Sequence, residues 1–411
     1  MTSLSESASV QPRVALLNVD LWLGGGTVFL INFAADLVRR GIPCQVFGLN
    51  EVNSLAADFE RLRIPVSCGR PGDIFEDRIT GALRQLAAFQ PTVVIGSSPD
   101  VWELYRYLPD GVGKLSVIHL ALPSTTRYIP LYKDFMDAAI GVAPHVKEAV
   151  AESLATASLP VYCIGPGVPI PEALPPRSLT GAENTPLRIL YLGRLEEDAK
   201  RVRTFPVIFK HLQESGIPFV WNIAGGGPER PYLESQLVSD NPQQVVNFRG
   251  IVPYSDVPAL LAENDIILLT SDSESFPLSL QEAMGSGLVP VVSDIKGRVR
   301  EAVTKDIGIR VPVENLKGYA DAIVWLHHHR EAMQAMSAAA YQAIHEGYSV
   351  EVMVNHWMPL LEKRPATPPV WPKRWKIKAP ITATSSLRYS MPMRILRRIV
   401  KRLQAARLSF A

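Results

Sequence analysis

The sequence predicts an α/β protein: two doubly wound, Rossmann-like domains facing a cleft, plus a basic C-terminal tail. Apolar strands alternate with amphipathic helices through the first half, a proline-dense stretch interrupts them, and the alternation then restarts. A chain of 411 residues is also too long for one comfortable core and suits two.

In the first half, 14–19 reads as a buried strand, Gly24-Gly25-Gly26 as a turn, and 28–40 as a helix ending at Gly41, a residue suited to a left-handed cap. Further strands are expected at 45–49, 92–97, 115–119 and 139–143. Seven prolines in 160–186 are too dense for any regular element and mark a linker. Strands resume at 188–192, 219–224, 245–248, 265–269 and 289–293. The expected boundaries are 1–168 for the first domain, 169–187 for the linker and 188–348 for the second domain. A helix packing back on the body, bent or ended by Pro359, takes 349–362, and the tail takes 363–411. Parallel sheets covered by helices on both faces bind ligands at the carboxyl ends of their strands.

Hydrophobic content of 47% with 20% charged residues fits a folded globule rather than a disordered chain. No apolar run approaches the roughly 18–20 residues of a spanning helix. Residues 1–11 are polar and serine-rich, without the basic start and apolar core of a secretory signal, so a cytoplasmic location is expected. Cys44, Cys68 and Cys163 are widely spaced in apolar surroundings and read as free thiols, not metal ligands. The run His327-His328-His329 points three imidazoles to different sides of a helix, which chelates poorly, so no metal is expected.

The net charge of +2 hides an asymmetry. Residues 363–411 hold 13 Lys and Arg and no acid, leaving 29 basic against 40 acidic residues in 1–362, a net of −11. An acidic body with a basic appendage is not a nucleic-acid-binding domain. In 391–408, Ile395, Leu396, Ile399, Val400 and Leu403 share one helical face and arginines and lysines the other; before it, tryptophans alternate with cations from Trp371 to Lys378. Both segments suit an anionic membrane surface, which would make the protein peripheral on the membrane. The alternatives are docking onto the acidic body or onto a partner.

The densest chemistry lies between Ser271 and Glu301. A buried strand ends, the chain turns at Glu274, and a helix follows from about Pro277, well placed for a first turn. The backbone N–H groups of Ser275, Phe276, Leu278 and Ser279, around Pro277, would sit at a helix N-terminus and suit a diphosphate. Glu274 and Glu282 are eight residues apart, about 12 Å along a helix, against about 5 Å or 6.5–9.5 Å for hydrolase carboxylate pairs. With Glu274 in the loop that spacing is not fixed. The pair reads either as two clamps on one elongated ligand or as a solvated loop glutamate and a surface helix glutamate.

Ser271-x-x-Glu274, followed by Glu282-Ala-Met and Gly287-x-x-Pro-Val-Val, resembles the E-x7-E signature of retaining glycosyltransferase family 4, which has the GT-B fold. Tyr191-Leu-Gly-Arg194-Leu with Lys200 resembles that family's Gly-Arg-Leu…Lys element. Ala224-Gly225-Gly226-Gly227-Pro228 is similar to its glycine turn, Phe248-Arg-Gly250 to the segment near the nucleotide base, and Gly24-Gly25-Gly26 to its N-terminal glycine loop. The similarity runs over about 13–362 and is strongest in 188–303.

The resemblance implies transfer of a sugar from a nucleotide-diphosphate donor to a glycan, lipid-linked or small-molecule acceptor. The first domain would serve the acceptor and the second the nucleotide-sugar. Arg194 and Lys200 would hold the diphosphate and stabilise its charge as it leaves, without a metal or other cofactor. Glu282 would accept from the ribose hydroxyls, Glu274 would contact the sugar, and Gly25 and Gly26 would let backbone approach phosphate or acceptor. His119, at the end of a strand, would contact the donor sugar; the alternative is a histidine packed at a strand end. Retention by front-face attack, with the departing diphosphate taking the acceptor's proton, would need no protein base.

Two departures stand out. The spacing from Arg194 to Lys200 is one residue wider than the commonest form, and Arg201 stands where glycine is frequent. Glu196, Glu197 and Asp198 lie between the cations and are expected to face solvent. The rivals are a glycosyl phosphorylase and a non-catalytic sugar-nucleotide-binding or scaffold protein of the same fold. No nucleic-acid partner is expected.

Overall fold

The computed structural model describes residues 11–21, 23–50, 55–70, 75–155, 158–176, 185–238, 245–362, 369–378 and 381. The chain divides into two compact units, Met1–Ile164 with Val354–Ala411, and Gly165–Met353.

The first unit is built on seven parallel strands: β1 (Val14–Asn18), β2 (Cys44–Gly48), β3 (Val66–Cys68), β4 (Val93–Gly96), β5 (Gly113–Ile118), β6 (Ala138–Gly141) and β7 (Val161–Cys163). Their order is β3-β2-β1-β4-β5-β6-β7, so the winding reverses between β1 and β4. In β1, Val14, Ala15, Leu16 and Leu17 are all buried, which is why this strand is a continuous apolar run and not an alternating one. The helix Gly25–Arg39 follows it and ends with Gly41 at φ +74°.

Several expectations change here. Gly25 and Gly26 are the first two helical residues, with Thr27 N and Val28 N bonded to the Gly24 carbonyl, so the helix begins three residues before the apolar periodicity announces it. The proline-dense stretch contains β7. This edge strand pairs with β6 on one side only, so Pro160 interrupts no second ladder. His119 lies one residue beyond the end of β5.

The helix Val350–Glu362 continues through Pro359. Its fully buried Trp357 packs on Phe33 at a ring distance of 5.1 Å. In the tail, Trp371, Trp375, Ile377 and Ile381 pack against the core of this unit, and Trp375 Nε1 donates to the Tyr107 carbonyl at 3.3 Å. Docking on the body, the alternative for that segment, is therefore what accounts for its tryptophans. The expected amphipathic helix at 391–408 lies outside the described residues.

The second unit carries six parallel strands: β8 (Leu187–Leu192), β9 (Phe219–Ala224), β10 (Val246–Gly250), β11 (Ile266–Leu269), β12 (Val289–Ser293) and β13 (Ile309–Val311). Their order is β10-β9-β8-β11-β12-β13, with the reversal between β8 and β11. In its core Tyr191 meets Phe205 edge to face at a ring distance of 4.9 Å, and Phe205 meets Trp221 at a tilt at 5.0 Å. Burying a side chain such as Phe205 contributes about 1.5–3 kcal/mol. At the opposite end of the strands, Asp265 accepts both backbone and guanidinium hydrogen bonds from Arg188, tying β11 to β8. That fixes the two strands whose other ends carry the motifs.

Candidate functional site

In an open parallel sheet the crevice lies where the winding reverses, outside the carboxyl ends of the flanking strands. For the second unit those ends are Gly193–Arg194 after β8 and Thr270–Glu274 after β11. The two richest motifs in the sequence thus meet at one edge.

Lys200 and Glu274 form an ion pair between Nζ and Oε1, and the same oxygen accepts the Ser271 hydroxyl at 2.9 Å. Both charged side chains are largely enclosed, 18% and 14% exposed. The backbone around Lys200 is strained. Ala199 and Arg201 both lie in the left-handed region, at φ +65° and +51°, which costs roughly 1–2 kcal/mol for each residue with a Cβ. Neighbours hold it in place: Asp272 N donates to the Ala199 carbonyl at 3.0 Å, Thr270 Oγ1 to that of Lys200 at 2.9 Å, and Arg201 to the Val313 carbonyl at 3.0 Å. The left-handed φ of Arg201 explains why glycine suits that position.

Arg194 is mostly exposed and pairs with Glu196 at 2.8 Å. Glu196 and Glu197 are half-buried and do not face solvent as expected, because each has a local donor: Glu196 takes Arg194, and Glu197 caps the Arg203 N–H at 2.9 Å. Asp198 is exposed. The Arg194 carbonyl accepts the Tyr191 hydroxyl at 2.7 Å; burial, with Glu274 nearby, pushes that phenol's pKa up.

Gly225 shapes this loop from beneath. Its φ is +143°, and a Cβ there would stand 1.8 Å from the Gly193 carbonyl oxygen. The close approach that Gly225 permits is to the loop bearing Arg194. Leu195 N completes the seam by donating to the Gly226 carbonyl at 2.8 Å.

The helix Leu278–Gly285 has Pro277 at its N-cap and no side-chain cap, so its first N–H groups stay available at this edge. Ser275 and Phe276 are buried in the loop before it, and Phe276 meets Tyr348 edge to face at 4.9 Å. A small pocket beside Ser271 and Glu274 is lined by Pro277, Val292, Ile295 and Val299. Glu282 projects from the second turn, half-buried, and desolvation pushes its carboxyl up to about 8.

Sequence reasoning missed Gln281. It is fully buried, and its Nε2 donates to the Phe276 carbonyl at 3.2 Å while its Oε1 has no partner. An amide among Leu280, Ala283 and Met284 was the available signal.

Within the first unit, Gly26 and His119 come together: a Cβ on Gly26 would lie 3.8 Å from the imidazole Nε2. The ring meets Phe29 edge to face at 5.3 Å. His119 is half-buried, but its Nε2 is closed off from solvent, and burial lowers its pKa to about 4. The positive end of a helix dipole works in the same direction. The imidazole is neutral near pH 7. Among the described residues no cluster of metal-ligating side chains is present. His327 is occupied by Arg330 and His329 by the Trp325 carbonyl.

Residues 177–343 match the family model described as glycosyl transferases group 1. A putative colanic acid biosynthesis glycosyltransferase, WcaL of Escherichia coli, is 32% identical over 149 residues, 34% of this chain and 36% of that protein. The N-acetyl-alpha-D-glucosaminyl L-malate synthase of Bacillus anthracis is 30% identical over 136 residues, 33% and 35% of the two chains. The matches therefore span about a third of these relatives. The fold is similar to that of Anabaena Alr3699/HepE, solved with UDP, at a TM-score of 0.66 and 15% identity over 85% of this chain and 99% of that one. Staphylococcus aureus TarM gives 0.69 and 12%, with the same coverage. The chain has the GT-B architecture of two Rossmann-like halves, and residues 177–343 are similar in sequence to group 1 glycosyl transferases.

Proposed function

We propose that this chain is a retaining glycosyltransferase that moves a sugar from a nucleotide-diphosphate donor to a glycan, lipid-linked or small-molecule acceptor. The observation that carries the reading is the convergence of Lys200, Ser271 and Glu274 with the uncapped N-terminus of Leu278–Gly285, where the winding of the second sheet reverses. A cation and free N–H groups at such an edge suit a diphosphate. Anabaena Alr3699/HepE was solved with UDP-glucose, which makes UDP-sugars the first donors to try.

Lys200 and Arg194 hold the diphosphate and stabilise the charge that develops as the C1–oxygen bond breaks. Glu274 orients the sugar, Glu282 accepts from the ribose, and Gly25 and Gly26 admit phosphate or acceptor close to backbone. His119, neutral, meets the sugar as a hydrogen-bonding partner. The acceptor oxygen attacks from the face the diphosphate leaves, and its proton goes to the departing phosphate oxygen, which supports retention without a protein base. No metal takes part in this reading.

A panel of UDP-, GDP- and ADP-sugars, followed by thermal shift and nucleotide release for wild type and Glu282→Ala, tests it. Stabilisation by one donor with release of free nucleotide, both lost in the variant, supports transfer. Stabilisation without release favours the sugar-nucleotide-binding protein, and no shift with any donor removes the reading.

A further inference from the structure

We propose that the docked strap of residues 369–378 and 381, with the adjoining segment 120–133, forms a face that binds an anionic lipid bilayer. The proposal does not depend on the transferase reading. It starts from the way the strap lies on the first unit. Trp371, Trp375 and Ile377 turn inward onto the core, while Lys373, Arg374, Lys376 and Lys378 are exposed. Hydrogen bonds fix this alternation, with Trp375 Nε1 donating to the Tyr107 carbonyl at 3.3 Å and Lys378 N to the Tyr107 hydroxyl at 3.0 Å. Among the described residues none of the four cations is in an ion pair. The strap is thus a fixed row of outward positive charge on a body whose residues 1–362 carry a net −11.

The end of the strap joins an apolar region through one buried carboxylate. Glu103 Oε1 accepts from Ile381 N at 2.5 Å and from the Tyr132 hydroxyl at 2.6 Å, and Glu103 Oε2 takes Arg106 at 2.7 Å. The short helix Ile129–Tyr132 therefore abuts the strap, and it exposes half of Leu131. Leu120 and Leu122, 47% and 48% exposed, lead into the helix Pro123–Thr126 that packs beside it. Arg127 lies in the same segment, and Lys133 at its end pairs with Asp134 at 2.8 Å. One exposed leucine is ordinary on a protein surface. Three of them flanking two adjoining helical turns next to a row of cations match an interface that is charged at the headgroups and apolar just below.

This chemistry separates the bilayer from other polyanions. Single-stranded nucleic acid is held by aromatic rings on which bases stack; here the tryptophan rings face the core and are spent on docking the strap. A nucleic acid also has no use for exposed leucines.

The test is co-sedimentation of the full chain with vesicles of phosphatidylcholine alone, or of equal parts phosphatidylcholine and phosphatidylglycerol, at low and high salt. Wild type should pellet with the anionic vesicles only, and less at high salt. The Lys373→Ser/Arg374→Ser/Lys376→Ser/Lys378→Ser variant should lose at least about tenfold in partitioning. Leu122→Ser/Leu131→Ser should weaken binding at every salt concentration. An unchanged melting temperature controls for folding, and the milder Lys376→Ser/Lys378→Ser pair replaces the fourfold variant if that one fails to fold. Three results overturn the proposal: no pelleting of wild type with anionic vesicles, equal pelleting of the charge variant (which would move binding to 391–408), or retention on RNA without pelleting on vesicles.

Discussion

The Glu274 carboxylate oxygen that contacts the Lys200 ammonium is the one that accepts the Ser271 hydroxyl at 2.9 Å. Without a ligand, the carboxylate neutralises the cation that a diphosphate would need. Donor and glutamate therefore compete for Lys200, and binding and turnover should respond to Glu274 in opposite directions. Glu274→Gln keeps an oxygen for Ser271 and removes the competing charge. Affinity for the free nucleoside diphosphate should rise by up to roughly tenfold, about 1.4 kcal/mol. Turnover should fall at least about a hundredfold through loss of sugar orientation. Calorimetric titration of UDP beside a transfer assay reads both, and a parallel fall in affinity would show that Glu274 binds the nucleotide instead.

Glu282 makes stability depend on pH. Burial raises its carboxyl from 4.5 to about 8, so between these values the folded chain holds a proton that the unfolded chain has released. Stability then falls as pH rises through this window and levels off above about 8. Glu282→Gln cannot ionise and lacks that slope. It should melt higher than wild type at pH 8 and close to it at the acid end. Scanning calorimetry across the window is the measurement, and parallel curves for the two proteins would mean that the carboxyl is not held neutral by the fold.

Two glycines named together from the sequence should behave differently. A Cβ on Gly225 would collide with the Gly193 carbonyl oxygen at 1.8 Å, and φ +143° is closed to alanine. Gly225→Ala should cost on the order of 3 kcal/mol or more and displace the Arg194 loop. On Gly26 the same atom makes only ordinary contact with His119 at 3.8 Å, in the first turn of a helix. Gly26→Ala should therefore keep the melting temperature and raise the KM for donor or acceptor. A large loss of stability in Gly26→Ala would give that glycine a structural role and remove it from the site.

The sheets were legible where their strands are mainly apolar runs: 219–224, interrupted only by Asn222, and 289–293 were read to the residue. The edge strands β3, β7 and β13 were not, since three residues such as Val66-Ser67-Cys68, half-buried throughout, carry no run and no alternation. Lys200 and Glu274 stand 74 residues apart. Their meeting follows from strand order, which no local pattern encodes, and only the family likeness put them in one site beforehand. The left-handed Ala199 and Arg201 were invisible because neither residue type signals a positive φ. The docked tryptophans of the tail were misread as surface because period-two alternation with lysines looks the same whether the far side of the segment meets a membrane or a protein core.

Gln281 gives the most direct separation of fold from function. Its Nε2 holds the Phe276 carbonyl at 3.2 Å, pinning the loop that leads into the Leu278 helix, while its Oε1 is buried without a partner. Leucine fills a similar volume, removes the orphaned oxygen and gives up the bond to Phe276. These effects oppose each other, so the stability of Gln281→Leu should stay within about 1 kcal/mol of wild type. The loop that presents its N–H groups to the diphosphate would lose its tether, so donor KM should rise severalfold with a smaller change in kcat. A packing residue would give the reverse, a lower melting temperature at unchanged KM. Measuring both on the same preparation decides whether this amide serves the core or holds the donor loop.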